Sequence, residues 1–451
     1  MTSTIDLNMV NAYIPGQADV GAGTAALIGR RDSLLGPAYR LMYERPLHIV
    51  RGEGAWLIDR DGNRFLDIYN NVTSLGHCHP RVVEAICRQA ATLQTNTRYL
   101  HETILELAER LLATVPGTDL AHLMLTCTGS EANDLAYRIA KVRTGGTGII
   151  VTETAYHGFT DAVSQFSPSL GMTVDLGAHV RLVPAPRAYH ADGVDLADRF
   201  TRDVEAAIAD LKRHGIKPAM LIVDSVFTSD GLLPDPAGFL QGAVAAIQQA
   251  GGLFVADEVQ PGFGRTGQHM WGFQRHDVIP DIVTMGKPMG NGQPIAGLLV
   301  TQDAVARFGQ DSRYFNTFGG NTVSCAAALA VLDTIEREGL TAQAAKTGKA
   351  LRDGIAALAE RHEAIGDVRG VGMFVGVEIV SDRATRAADR ETTSRVVNRL
   401  RDKHILISAC AKGHNVLKIR PPLILTGEEV AIVVQGMDEA FAEAASAGAA
   451  G

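Results

Sequence analysis

Three stretches carry residue types that chemistry needs. In "VTMGKPMGNG", residues 283–292, Lys287 stands between two glycine-containing turns directly after a short apolar run. A lysine amine becomes a nucleophile toward carbonyl compounds when burial and nearby positive charge lower its pKa, which is how Schiff-base lysines arise. In "FVADEVQPGFGRTG", residues 254–267, Asp257 closes an apolar strand, and a carboxylate buried there requires a cation or hydrogen-bond donors. In "CTGSEAND", residues 127–134, Gly129 and Ser130 form a glycine turn leading into a helix. Free N–H groups and a positive dipole end at such a turn suit an anionic phosphate. Each stretch also has a plainer reading: a solvated lysine, an ordinary buried ion pair, and Ser130 as an N-cap.

Taken together, the three requirements describe one cofactor. Pyridoxal 5′-phosphate (PLP) has a phosphate to anchor, a pyridinium nitrogen for an acid to hold protonated, and an aldehyde for a lysine to bind.

The elements that must position these residues can be read from apolar patterning. From about residue 120 to 300, strand-length runs ("HLMLTC", "GIIVTE", "AMLIVD", "GGLFVAD", "PDIVTM", "AGLLVT") alternate with Ala-rich amphipathic stretches. Such runs describe strands covered on both faces in a mostly parallel sheet, an α/β layered domain. Ala132, Leu135, Ala136, Ile139 and Ala140 recur at helical spacing, so a helix begins just after "TCTGS". Gly129, Ser130, Asp257 and Lys287 each follow a strand, and in an open parallel sheet ligands sit beyond the carboxyl ends of the strands. The segment "DGNRFLDIYNNV" and the last 120 residues, with "FVGVEIV" as a lone strand, suggest a smaller α+β lobe built from both chain ends. The expected division is 1–65 and 325–451 for the small domain and 66–324 for the large one. A capping box, Thr426 with Glu429, opens the final helix, and the tail "AEAASAGAAG" reads as frayed.

Composition narrows the function classes. At 451 residues the chain exceeds one ordinary core, so two packed units are expected. Its net charge of −8, without a Lys/Arg run, argues against nucleic-acid binding. No apolar stretch reaches transmembrane length, which argues against a membrane span. The N-terminus "MTSTIDLNMVNAY" lacks the pattern of a secretory signal, which predicts a cytoplasmic address. Cys78, Cys87, Cys127, Cys325 and Cys410 lack paired ligand spacing, so reduced, mostly buried thiols are expected and neither a disulfide framework nor a metal site. A nucleotide-binding oxidoreductase would also alternate strands and helices, but it would need a G-x-G-x-x-G after a first strand. A non-catalytic protein that has kept such a fold is a third class, against which the intact Lys287 and Asp257 speak.

The motifs "TGSEAN", "AYHG", "FVADEVQPGFGRTG", "TMGKPMGNG", "NTFGGN" and "LKIRPPL" occur in an order that resembles the class III aminotransferases, PLP enzymes of fold type I. The resemblance implies that Lys287 binds the PLP aldehyde and Asp257 pairs with the ring nitrogen. It further implies that Gln260 bonds the ring hydroxyl, that Val259 and Tyr156 cover the two ring faces with His157 beside Tyr156, and that Gly129 and Ser130 hold the phosphate. Thr317 would reach the phosphate of a neighbouring subunit, implying a homodimer, alone or paired into a tetramer. Two positions depart from the family pattern, Thr322 in place of a common proline and Asp224 in place of a usual glutamate.

The stretches "DIYNNVTSLGHCHP", "TNTRYLHE", "YFNTFGGNTVSCA" and "NVLKIRPPL" look like the branch containing ethanolamine-phosphate phospho-lyase. That implies phosphate elimination from O-phosphoethanolamine, giving acetaldehyde, ammonia and phosphate. The alternative is an ω-aminotransferase using pyruvate or 2-oxoglutarate. A substrate phosphate or carboxylate needs cations, for which Arg98, His77, His79, Lys418 and Arg420 are the candidates. The plainer reading of "GHCHP" is a turn that starts a helix at Pro80.

Overall fold

The computed structural model describes residues 9–171 and 173–448. Its centre is a seven-stranded sheet. Across the sheet the strands run Leu120–Thr126, Ala296–Thr301, Ile282–Met285, Leu253–Asp257, Pro218–Asp224, Gly148–Thr152 and Val180–Val183. Ala296–Thr301 is antiparallel to both neighbours, and the other six share one direction. All six apolar runs are strands of this sheet. Successive side chains enter opposite faces of a strand. Ile149, Val151, Met220, Ile222 and Val255 accordingly join one buried cluster, while Ile150, Leu221, Val223, Phe254 and Ala256 join another. Both faces are covered, which is why the sequence reads as continuous apolar runs rather than alternation. The seventh strand, Val180–Val183, lies at the sheet edge with Arg181 half-buried and Leu182 41% exposed, so it lacks that signature.

The remaining strands form two further sheets. Ile49–Glu53, Trp56–Asp59 and Arg64–Asp67 make an antiparallel meander, and Ile405–Leu406 pairs parallel with its last strand, Ile405 opposite Leu66. The "FVGVEIV" run is not a lone strand. It lies within Phe374–Asp382, between Ile365–Val371 and Val416–Ile419, with Ser408–Cys410 beyond.

Other expectations are met or corrected locally. Thr426 and Glu429 make the reciprocal bonds of a capping box. The tail does not fray at residue 442: the last helix runs Gly427–Gly448 and Ala444 is buried, while residues 449–451, like residues 1–8, lie outside the described residues. The cysteines are free, but only Cys325 is buried, and Cys78 and Cys87 are exposed. Among the described residues no helix is long and apolar enough to cross a membrane.

Candidate active site

Parallel register sets the floor of the site. Asp224, Asp257 and Thr284 stand opposite one another on three adjacent strands, at their carboxyl ends. Two residues past Met285, Lys287 heads a short 3-10 turn, Lys287–Gly290. Beside it starts the helix Gly129–Thr144. Its N-cap is Thr128, whose hydroxyl accepts from the Glu131 amide while the Glu131 carboxylate turns back onto the Thr128 amide. Ser130 is therefore not the cap. Its buried hydroxyl accepts instead from the Phe159 amide at 3.2 Å.

An inner cleft of about 100 Å³ is lined by Gly129, Ser130, Tyr156, Asp257, Val259 and Lys287, among others. It is walled by close backbone approaches. A Cβ on Gly129 would sit 3.0 Å from Val259, and one on Gly158, at φ +141°, only 2.5 Å from the Ser130 hydroxyl. A side chain is excluded at Gly158 and would have to push Val259 aside at Gly129, so the cleft meets the helix head as backbone. At the other end, Asp257 is buried and held by three donors. Its Oδ2 accepts from Asn133 at 2.9 Å and meets the His157 Nδ1 at 2.7 Å, and its Oδ1 accepts from the Val259 amide at 3.1 Å. Asn133 is aimed in turn by the Thr284 hydroxyl, 2.7 Å from its Oδ1.

Lys287 is half-buried at the junction of this cleft with a larger cavity. Burial, and then the Arg420 guanidinium, lower its amine below the usual lysine range, against the pull of Asp257 and Asp224. Burial raises the Asp224 carboxyl, as does the charge of Asp257. The shorter Asp224, in place of the expected glutamate, is braced by the Thr228 hydroxyl and the Val226 amide.

The outer cavity, about 690 Å³, is lined by Lys287, Lys412, Lys418, Arg420 and His414, and no Asp or Glu lines it among the described residues. Strand alternation produces this. In Val416–Ile419, Leu417 and Ile419 face the core at 0% exposure, which turns Lys418 and then Arg420 to the opposite side. Both are buried. Arg420 donates to the side-chain carbonyls of Gln260 and Asn71 and stacks over Tyr69, 4.5 Å from the ring centre. Among the described residues Lys418 has no hydrogen-bond or ion-pair partner, and burial with the Arg420 charge pushes its amine down to about 7.

The other expected residues divide. Tyr156 lines both cavities. His157 lies behind Asp257, as a support for the carboxylate. Gln260 is engaged by Arg420, by Asn71 and, through its own amide, by Thr228 at 2.5 Å, leaving one amide proton. Two histidines leave the site. His77 bonds Asp67 at 3.0 Å, and Asp67 also receives the Tyr69 and Asn70 amides, so His77 braces the loop that borders the cavity. His79 is the N-cap residue of Pro80–Thr92, its imidazole pKa lowered by burial. The "GHCHP" stretch is thus the turn that starts a helix. Arg98 is not in its own chain's cavity either: it is exposed and its guanidinium lies 3.7 Å over the Phe315 ring. Thr317 is exposed as well. Thr322, at the first position of Thr322–Arg337, bonds the Leu93 carbonyl at 2.5 Å.

Sequence reasoning assigned no role to Asn133, Asn71 or Lys412. Asn133 had a signal, since it falls four residues after Gly129 on the same helix face. Asn71 and Lys412 sit in loops and had none.

The donor set fits PLP: helix-head amides for its phosphate, a braced carboxylate for its ring nitrogen, and an amine of lowered basicity for its aldehyde. Comparison with known proteins agrees. Residues 40–441 match the family model "Aminotransferase class-III". The chain is 38% identical to an alanine–glyoxylate aminotransferase 2-like protein of Drosophila melanogaster, over 91% of this chain and 85% of that one. It is 35% identical to ethanolamine-phosphate phospho-lyase homolog 1 of Caenorhabditis elegans, over 92% of each. A phospholyase from Arthrobacter, solved in complex with phosphoethanolamine, superposes with a TM-score of 0.89 at 41% identity, covering 92% of this chain and 99% of that one. The nucleotide-binding oxidoreductase reading is thereby set aside. With its fold, its lysine–carboxylate cleft and these relatives in agreement, the chain belongs to the class III aminotransferases, PLP-dependent enzymes of fold type I that include transaminases and phospho-lyases.

Proposed function

We propose that this enzyme eliminates phosphate from O-phosphoethanolamine, giving acetaldehyde, ammonia and phosphate. The observation that carries this reading is the outer cavity, where cations converge without a lining carboxylate and Lys418 is buried without a counter-ion. Burying an unpaired ammonium is unfavourable, so the arrangement calls for an arriving anion, and a phosphate dianion answers two cations at once. The likeness to a phospholyase crystallised with phosphoethanolamine supports it.

PLP, when bound, supplies an aldehyde for the substrate amine and a ring that draws electrons from the adjacent carbon. Asp257, immobilised by Asn133, His157 and Val259, would face the ring nitrogen. Lys287, of lowered basicity, removes the proton from the carbon that carries nitrogen. Tyr156 covers the cleft, while Arg420 and Lys418 hold the substrate's phosphate on the far side of Lys287. The test is incubation of the holoenzyme with O-phosphoethanolamine and no keto acid. Catalytic release of phosphate supports the reading, and amino transfer to pyruvate without phosphate release overturns it. That second outcome is the ω-aminotransferase reading, favoured by the likeness to an alanine–glyoxylate aminotransferase.

The same reading includes a homodimer. Tyr99, Leu100, Leu105 and Phe318 expose large apolar area on the face that carries Arg98 and Thr317, Leu100 being fully exposed. A second copy covering this face accounts for the exposure and lets Arg98 and Thr317 serve the neighbour's cavity. Mixing inactive Lys287→Ala and Thr317→Asp chains then restores part of the activity. Sedimentation as a monomer, or mixtures no more active than their parents, would reject it.

A further inference from the structure

We infer that the Lys418 ammonium is the proton donor to the departing phosphate, an assignment that rests on the phosphate-elimination reading. The chemistry requires a donor. When the C–O bond of a phosphate monoester dianion breaks with its electron pair on oxygen, the fragment is the phosphate trianion, too strong a base to be a good leaving group without a proton. In the balanced step, Lys287 takes the proton from the amine-bearing carbon and that pair becomes the new carbon–carbon double bond. The C–O bond breaks toward oxygen, and this oxygen takes a proton from Lys418 Nζ. Hydrogen phosphate leaves, and the neutral Lys418 regains a proton from water. No oxidant or reductant is involved.

The cavity offers few alternatives. Arg420 does not surrender a proton in proteins, and its Nη1 is taken by Gln260 and Asn71. Lys412 is exposed and paired with Glu153 at 2.8 Å. Lys287 is engaged at the carbon. Burial raises the Tyr156 phenol and the Cys410 thiol, which weakens both as acids. His414 sits on the Ala411–His414 turn at the cavity wall rather than on the buried strand. Of these groups Lys418 is the one that is buried with no hydrogen-bond or ion-pair partner among the described residues, on the same side as Arg420, so both meet one phosphate. The charged and titratable groups around it act in both directions. Arg420 and Lys287 lower its amine while Cys410 and Asp224 raise it, and the outcome near 7 matches a donor that works near neutrality.

The test compares two leaving groups of similar size on the holoenzyme, O-phosphoethanolamine and ethanolamine O-sulfate. Sulfate leaves as a stable dianion and needs no proton. Lys418→Arg, which keeps a charge on the anion but gives up no proton, is expected to lower kcat for phosphate release by about 100-fold or more and for sulfate release by less than about 5-fold, whereas Lys418→Met also loses the anion contact and should weaken both esters, phosphate the more. A wild-type alkaline fall in rate should occur with phosphate and not with sulfate. Calorimetry of inorganic phosphate binding, in buffers of different ionisation heat, supplies a readout independent of turnover. Near pH 8 the wild-type holoenzyme should take up a proton on binding, and Lys418→Arg should not. Full phosphate release by Lys418→Arg, equal losses by Lys418→Arg on both esters, or unchanged proton uptake in Lys418→Arg would each overturn the assignment. A wild-type enzyme that releases sulfate but no phosphate removes the elimination reading itself, and the assignment falls with it.

Discussion

Truncating Arg420 should separate charge recognition from scaffolding. The side chain is 5% exposed and does two things in the structure. It props the carbonyls of Gln260 and Asn71, and it turns a guanidinium toward the cavity beside Lys418. Arg420→Ala removes both. The propping loss falls on every substrate alike, because Gln260 is a wall of the shared cleft, still held by Thr228 at 2.5 Å. The charge loss falls only on substrates that carry an anion. A charge-assisted hydrogen bond contributes about 1.5–3 kcal/mol, and roughly 1.4 kcal/mol is one decade. The differential is therefore about 10- to 150-fold in kcat/KM. The assay compares phosphate release from O-phosphoethanolamine with chloride release from 2-chloroethylamine, a substrate of similar length without an anion. Arg420→Lys, which keeps charge but loses the planar fork, should fall between wild type and Arg420→Ala on the phosphate ester and stay near wild type on the chloride. Equal losses on both substrates in Arg420→Ala would show that this arginine only supports Gln260, and the phosphate pocket would have to be sought elsewhere.

Borohydride reduction of the holoenzyme should fix a pyridoxyl group on the peptide containing Lys287 and on no other, and Lys287→Ala should abolish the label. Thr128→Ala removes a two-way cap on the helix that heads the cleft, so the unfolding midpoint in urea should fall by the equivalent of about 1 kcal/mol, with weaker PLP retention on dialysis. Lys418 titrates near 7 when folded against an ordinary 10.5, so the unfolded chain binds more protons across that window. Stability of the cofactor-free protein should therefore rise from pH 7 toward pH 10.5. Lys418→Met should flatten that rise in pH-dependent denaturation curves, and an unchanged slope would mean the ammonium is solvated.

Much of this arrangement was legible because the sheet is covered on both faces. Runs such as "GGLFVAD" and "PDIVTM" announce buried strands, and Asp257 and Lys287 could be placed at strand ends from pattern alone. Val180–Val183 escaped notice because an edge strand exposes Arg181 and Leu182 and so breaks the apolar run. The alternation in "LKIR" held two of the outer cavity's cations, Lys418 and Arg420, in plain view. What the sequence could not convey was partnership. His77 resembles a ligand until Asp67 is found 3.0 Å away, and nothing in "GHCHP" points to a residue ten positions earlier. Arg98 is ambiguous for a related reason, since its orientation over Phe315 depends on a segment more than 200 residues distant in sequence.

The pairing of Ile405–Leu406 with Arg64–Asp67 has a consequence for how the enzyme comes into being. The helix-head turn, Asp257 and Lys287 all leave the ribosome before the strand bearing Lys418, which follows Lys287 by roughly 130 residues. At about 5–20 residues per second that interval is on the order of ten seconds. The residues of the inner cleft are thus synthesised before the strand that lines the outer cavity, and Arg64–Asp67 waits longer still for its parallel partner.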